Sequence, residues 1–117
     1  MATAFETFFK AWGQRDDAAR TEAIEGAMSS GFVYADPRSP GEVSDLGPLA
    51  DYVAAFGANA PGWIAEVKRD DTTQGWHRLL VEFGDGDQMR QHGTYFGKLD
   101  AAGRIETLVG FVGAGEL

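Results

Sequence analysis

Asp36 is the residue in this sequence best placed to do chemistry. It stands in Tyr34-Ala35-Asp36-Pro37, ahead of Arg38-Ser39-Pro40-Gly41. A carboxylate beside aromatic groups such as Tyr34 and Trp63, at the mouth of a cavity, has the setting of a general base. The same Asp before a proline also has a quieter use, because its carboxylate can accept bonds from backbone amides and close a turn. Both roles stay open at this point. His77 and Tyr95 are the other candidate proton donors or anchors. His77 alternates with Leu79, Val81 and Phe83, and Tyr95 alternates with Gln91 and Met89. If these faces line a cavity, Tyr95 and Gln91 supply convergent polar groups in an apolar pocket, a mixture typical of small-molecule sites. Trp12, Tyr34, Phe56 and Trp63 are the candidate aromatic walls, with Trp63 just after Pro61-Gly62 the best placed to border a pocket.

Other chemistries find less support. His92 falls on the face opposite Tyr95, toward solvent or a partner chain. No ligand spacing joins it to His77, so no metal site is assigned. The chain has no Cys, which removes disulfides, thiolate ligands and cysteine nucleophiles. Gly84-Asp85-Gly86 belongs to a hairpin turn rather than a phosphate loop, so no cofactor is implied.

Helices and strands must position these residues. Phe5, Phe8, Phe9 and Trp12 form one helical stripe at i, i+3, i+4 and i+7. Such stripes are chiefly core, above all at Phe5 and Phe9. Asp16-Asp17 caps a second helix running from about residue 18 to 28 and ended by Ser29-Ser30-Gly31. Phe32–Ala35 reads as a short strand. Ser44 or Asp45 caps a third helix with Leu46, Leu49, Val53 and Phe56 inward, Pro48 in its first turn and Gly57 at its stop. From Trp63 the period becomes two. Strands follow over 63–68, 76–83, 89–99 and 104–112, joined by turns at Thr73-Gln74-Gly75, 84–87 and 100–103. Gly93 and Gly97 inside the third of these suggest bends or bulges.

This order predicts one α+β domain over residues 1–117. A curved antiparallel sheet packs against three helices from the first half of the chain, forming a cone with a pocket. With 44% apolar and 12% aromatic residues, the chain can build a core. A net charge of −8 and the lack of a basic run make nucleic acid an unexpected partner. No stretch approaches the roughly 20 apolar residues that span a bilayer, and the N-terminus does not read as a signal peptide. A cytoplasmic setting is expected. The outward set Trp76, Arg78, Leu80 and Glu82 mixes large apolar groups with charge, as sheet faces buried in a partner do.

The order of elements resembles the nuclear transport factor 2-like superfamily. That group includes ketosteroid isomerases, SnoaL-like polyketide-cyclase-type proteins and limonene-type epoxide hydrolases. The resemblance covers nearly the whole chain. Its marks are Tyr34-Ala35-Asp36-Pro37 with Gly41, the segment from Leu46 to Phe56, Pro61-Gly62, and Asp100-Ala101-Ala102-Gly103-Arg104-Ile105. The resemblance implies that Asp36 matches the general base of the isomerases. It places Phe8 where they carry a donor tyrosine, and Tyr95 where they carry a protonated aspartate. With one donor lost and one exchanged, ketosteroid isomerisation itself is not expected. Arg78 and Arg90 do not reproduce the Asp-Arg-Asp set of the epoxide hydrolases. The resemblance also implies a two-fold homodimer through the outer sheet face. The expected function is binding of a small apolar or carbonyl-bearing compound, with acid–base chemistry at Asp36. The alternative is a non-catalytic ligand-binding or dimerisation module.

Overall fold

The structure, a computed structural model, describes residues 2–115. Helices α1 (Ala4–Ala11) and α2 (Asp17–Ala27) precede β1 (Met28–Ala35). Helix α3 (Leu46–Asn59) then leads into β2 (Ile64–Thr73), β3 (Trp76–Gly84), β4 (Met89–Leu99) and β5 (Ile105–Val112).

Local chemistry accounts for most of these boundaries. Thr3 and Glu6 cap α1 reciprocally, each side chain bonding the other's backbone N–H. The Asp16 carboxylate accepts the Ala19 amide at 2.8 Å and starts α2. Asp45 occupies the N-cap of α3 without a side-chain bond. Two expected stops moved. Ser29-Ser30-Gly31 continues as strand, because Met28 already pairs with Ile105 and Gly31 takes φ +74 in an irregular stretch of β1. Helix α3 runs through Gly57 to Asn59. A Cβ on Gly57 would sit 3.1 Å from the Arg15 guanidinium, so the glycine leaves room for that side chain. At the first hairpin Gln74 and Gly75 both take positive φ, as the tightest hairpin turns require.

The four later strands pair antiparallel in sequence order. β1 joins β5 in parallel, so the sheet is mixed, with order β1-β5-β4-β3-β2. Register shifts with an extra residue in β2, β4 and β5 bend it. The three helices and five-stranded sheet form the α+β cone. Its core holds Phe5, Phe8, Phe9, Ile24, Leu49, Val53, Leu79, Val81, Ile105 and Leu108, each at most 1% exposed. The strand glycines make room for rings. A Cβ on Gly97 would fall 2.7 Å from the Phe5 ring, and one on Gly110 would fall 2.4 Å from the Tyr95 ring.

On the outer face, Trp76, Phe96 and Phe111 are 44%, 41% and 54% exposed, an apolar set large for a solvated sheet. Phe96 and Phe111 pack edge to face at 5.8 Å, and the Lys98 ammonium lies 5.2 Å over Trp76.

Candidate functional site

The turn after β1 is built around one carboxylate. Tyr34 and Val43 exchange two backbone hydrogen bonds, at 2.9 and 2.7 Å, and close the loop between them. Inside that loop Asp36 Oδ1 accepts the amides of Arg38 at 2.9 Å and Ser39 at 2.8 Å. The Ser39 hydroxyl is bonded to the Asp36 carbonyl at 3.0 Å. The turn-closing role is therefore real. Two phenols complete the carboxylate's shell. Tyr52 donates to Oδ1 at 2.6 Å, and Tyr34 donates to Oδ2. Four donors thus converge on one carboxylate, three on Oδ1 and one on Oδ2.

Asp36 forms part of the wall of a cavity of about 550 Å³ between α1, α3 and the inner sheet face. Trp12, Phe56, Trp63 and Phe83 supply its apolar surface. Tyr52, Tyr95, Gln91 and Asn59 supply polar groups, and Arg38, Pro61, Phe111 and Val112 belong to its exposed rim. The aromatic groups brace each other. Trp12 meets Phe56 at 5.0 Å and Tyr52 at 6.0 Å, both near-perpendicular, and Tyr95 meets Phe9 at 4.8 Å. The Trp12 indole N–H is buried without an oxygen or nitrogen partner among the described residues. Its ring is enclosed by aromatic neighbours, where an N–H can point at a ring face.

All three tyrosines of the chain belong to this cluster. Burial pushes the Tyr34 phenol well above its ordinary range, and the charges of Tyr95 and Asp36 add to the effect. Burial likewise raises Tyr52, with the bond to Asp36 next, and raises Tyr95, with the Asp36 charge next. The unfolded chain ionises its phenols from about pH 10. The folded chain holds them neutral above that, so their contribution to stability is complete below about pH 10 and is lost as pH rises further. An alkaline titration followed by tyrosinate absorbance and circular dichroism is expected to show ionisation and unfolding in one step. Smooth ionisation near pH 10 of a chain that stays folded would contradict the enclosed cluster.

Of the residues picked out in the sequence, Asp36, Trp12, Phe56, Trp63, Gln91 and Tyr95 meet at this cavity. Tyr34 does not line it; fully buried, it supports Asp36 from behind. His77 lies elsewhere. It pairs with Gly97 in register, six residues before Phe83 along β3, or about 20 Å at strand spacing. Its Nδ1 faces Asp70 at 2.8 Å and Thr72 at 3.3 Å, and its ring packs on Phe5. Both polar partners share one nitrogen, so the trio cannot relay a proton from Thr72 to Asp70 through the ring. His92 pairs with Glu82 across the outer face at 3.3 Å and also borders the cavity rim. Arg78 and Arg90 are bound to Asp71 and Asp85 and are not part of the cavity.

Tyr52 was missed. Its signal was present, three residues after Leu49 and four before Phe56, on the flank of the α3 stripe. Arg38 and Asn59 were missed as well, since turn and helix-end residues carry no periodic mark.

No family model and no curated protein matches the chain. Solved structures do. A SnoaL-like family protein from Agrobacterium tumefaciens, described as a candidate isomerase, aligns with TM-score 0.81 at 22% identity over 95% of each chain. A protein of ketosteroid isomerase-like fold from Catenulispora acidiphila, solved in complex with trimethylamine, aligns with TM-score 0.73 at 8% identity, over 94% of this chain and 85% of that one. A SnoaL-like protein of unknown function from Burkholderia thailandensis aligns with TM-score 0.71 at 13% identity, over 97% and 99%. The class is thus an α+β cone with one cavity-bearing sheet face. Its fold is that of the nuclear transport factor 2-like superfamily, and its structural neighbours are SnoaL-like and ketosteroid isomerase-like proteins.

Proposed function

We propose that this chain is a small-molecule-binding protein of the SnoaL-like type, taking a compact, largely apolar compound into the cavity beside Asp36. One observation carries the reading. A space of about 550 Å³ stays open among aromatic side chains while a carboxylate with four hydrogen bonds is fixed in its wall. That volume lies within the range of roughly 300–1,000 Å³ usual for small-molecule sites. A cavity meant only as core would be filled, since interiors pack as densely as organic crystals. The Catenulispora protein, solved with trimethylamine, shows the fold holding a small molecule.

Fluorescence titration with N-phenylnaphthylamine, a neutral apolar probe, tests the reading. Wild type is expected to bind it with a blue shift. Ala55→Trp, which places an indole into the cavity from an exposed position on α3, is expected to weaken binding at least about tenfold, about 1.4 kcal/mol. Equal binding by both proteins, or none by either, would sink the proposal.

A second reading adds catalysis. Asp36 Oδ2 accepts only the Tyr34 hydroxyl, which leaves a lone pair for a substrate proton. In that reaction a C–H bond next to a carbonyl breaks, its proton moves to Oδ2, and the electron pair moves to the carbonyl oxygen. Tyr95, kept neutral by burial, is the donor that holds that oxygen. Three donors already hold Oδ1 in its structural role, so binding is the primary reading. Deuterium wash-in at the carbon next to the carbonyl of small aryl ketones, read by proton NMR, checks the catalytic step. Wash-in no faster than in buffer removes it.

The exposed Trp76, Phe96 and Phe111 support a two-fold homodimer through the outer face, and native mass spectrometry reads the subunit count directly. A bare monomer at micromolar concentration would remove that part. A cytoplasmic setting belongs to the same proposal, and fractionation of expressing cells tests it.

A further inference from the structure

The cavity has an unbalanced set of hydrogen-bonding groups. Among the described residues Asp36 is the only carboxylate in its wall, and four donors already occupy it. The Tyr52 hydroxyl is spent on Asp36, and the His92 ring is spent on Glu82. Gln91 and Asn59 carry equal donor and acceptor character. Arg38 alone is purely a donor, with five N–H groups.

Most other cations of the chain are engaged; Lys10 and Arg104 also lack a salt bridge, but of the Arg and Lys residues described only Arg38 lines the cavity. In a protein of net charge −8, Arg20, Lys68, Arg69, Arg78 and Arg90 all sit on carboxylates. Lys98 covers Trp76, and Arg15 donates to the Trp63 carbonyl. Arg38 has no carboxylate partner among the described residues, although it is exposed and surrounded by an acidic chain. Its backbone is not free to wander. The Arg38 amide is bound to Asp36 Oδ1, so the turn that fixes the carboxylate in the wall also fixes the arginine at the rim. Its side chain belongs to the cavity lining together with Asp36 and Tyr52.

We infer that the cavity's ligand is an organic anion, with an apolar body among Trp12, Phe56 and Trp63 and a carboxylate or similar acidic group on Arg38 at the mouth. The inference rests on the ligand-binding reading above and names the class of its ligand. A guanidinium presents paired N–H groups that match a carboxylate in two parallel bonds. When a ligand displaces water from the mouth, these N–H groups need an acceptor, and no carboxylate among the described residues pairs with Arg38 to supply one. An acidic head on the ligand provides them, while its body gains the aromatic surface.

A matched probe pair separates this inference from the reading beneath it. Anilinonaphthalene sulfonate and N-phenylnaphthylamine share one aromatic body, and only the first is an anion. Wild type at pH 7 and low salt is expected to bind the sulfonate at least about tenfold more tightly, the size of one charge-assisted hydrogen bond. Arg38→Gln is expected to abolish that preference, read as the ratio of the two probes' affinities in the same variant. Lys10→Gln removes the same charge from α1, away from the cavity, and is expected to keep the preference. Circular dichroism confirms that both variants fold. Equal affinity for the two probes in wild type overturns the inference while the binding reading stands. So does a preference that survives Arg38→Gln or disappears in Lys10→Gln. Failure of both probes to bind wild type overturns the binding reading, and the inference falls with it.

Discussion

Asp36→Ala is expected to lower the unfolding free energy by about 3–5 kcal/mol, read from urea denaturation at pH 7. Alanine removes the acceptor of four hydrogen bonds in one step. Water can reach the Arg38 and Ser39 amides at the surface of the turn and replace part of what is lost. It cannot reach Tyr34, which is 0% exposed. An orphaned buried hydroxyl costs about 1–3 kcal/mol by itself. Asp36→Asn is expected to be far milder, about 1–2 kcal/mol. Its side-chain oxygen can keep the turn amides and Tyr52, and its NH₂ can donate to the Tyr34 oxygen once that hydroxyl rotates. The pair of variants separates two roles that one residue holds. If Asp36 only closes the turn and supports the phenols, Asn keeps probe binding and loses little stability. If it is also a base, Asn stays folded and ends deuterium wash-in. An Asp36→Ala protein within about 0.5 kcal/mol of wild type would contradict the whole hydrogen-bonded cluster.

Gly110→Ala is expected to cost about 3 kcal/mol, the upper end for overpacking a core. The new Cβ would lie 2.4 Å from Tyr95 Cε2 and 2.8 Å from its Cδ2 and Cζ, distances that no packed pair tolerates. The ring cannot easily withdraw. Gly93 on the same strand leaves it the space it fills, with a Cβ there 3.0 Å from Tyr95 Cε1, and Phe9 closes the other side. Either the ring or β5 must shift, and the hydroxyl near Tyr34 and Asp36 moves with the ring. The effect belongs to the contact, so it should vanish when the ring is trimmed. In a Tyr95→Leu background, Gly110→Ala is expected to cost less than about 1 kcal/mol, a coupling of about 2 kcal/mol between the two sites. Full additivity would show that Gly110 matters for a reason other than Tyr95. The same shift predicts weaker binding of apolar probes by Gly110→Ala, since Tyr95 and Phe83 share the cavity wall.

The elements were largely legible in the sequence because their signals are local. Apolar spacing at Phe5, Phe8, Phe9 and Trp12 dictates a helix, and alternation along 76–83 dictates a strand, whatever the rest of the chain does. Asp16 and the turn residues Gln74-Gly75 are equally local, since caps and turns satisfy backbone groups only a few residues away. The element order, the α+β class and the candidacy of Asp36 all follow from such short-range rules. The misread points are those where a distant group decides. Gly57 does not stop α3; the helix runs on to Asn59, and the glycine leaves room for Arg15, which is far off in sequence. Ser29-Ser30-Gly31 is strand, because β5 offers a parallel edge to pair with. Gly97 and Gly110 serve rings that arrive from other elements, Phe5 from α1 and Tyr95 from β4.

The site divides along the same line. The sequence alone determined that Asp36 sits in a turn beside Tyr34, and that Tyr95 and Gln91 share a strand face. Only the tertiary structure decided that Tyr52 completes the carboxylate's shell, that Arg38 belongs to the cavity rim, and that His77 is far from it. Periodicity fixes which face a side chain takes but not how far along a strand the helices cover that face. His77 and Phe83 share one face of β3, yet α1 sets Phe5 on the first and the cavity opens beside the second. That choice comes from where whole elements pack, a sum of many weak contacts with no address in any short stretch of residues.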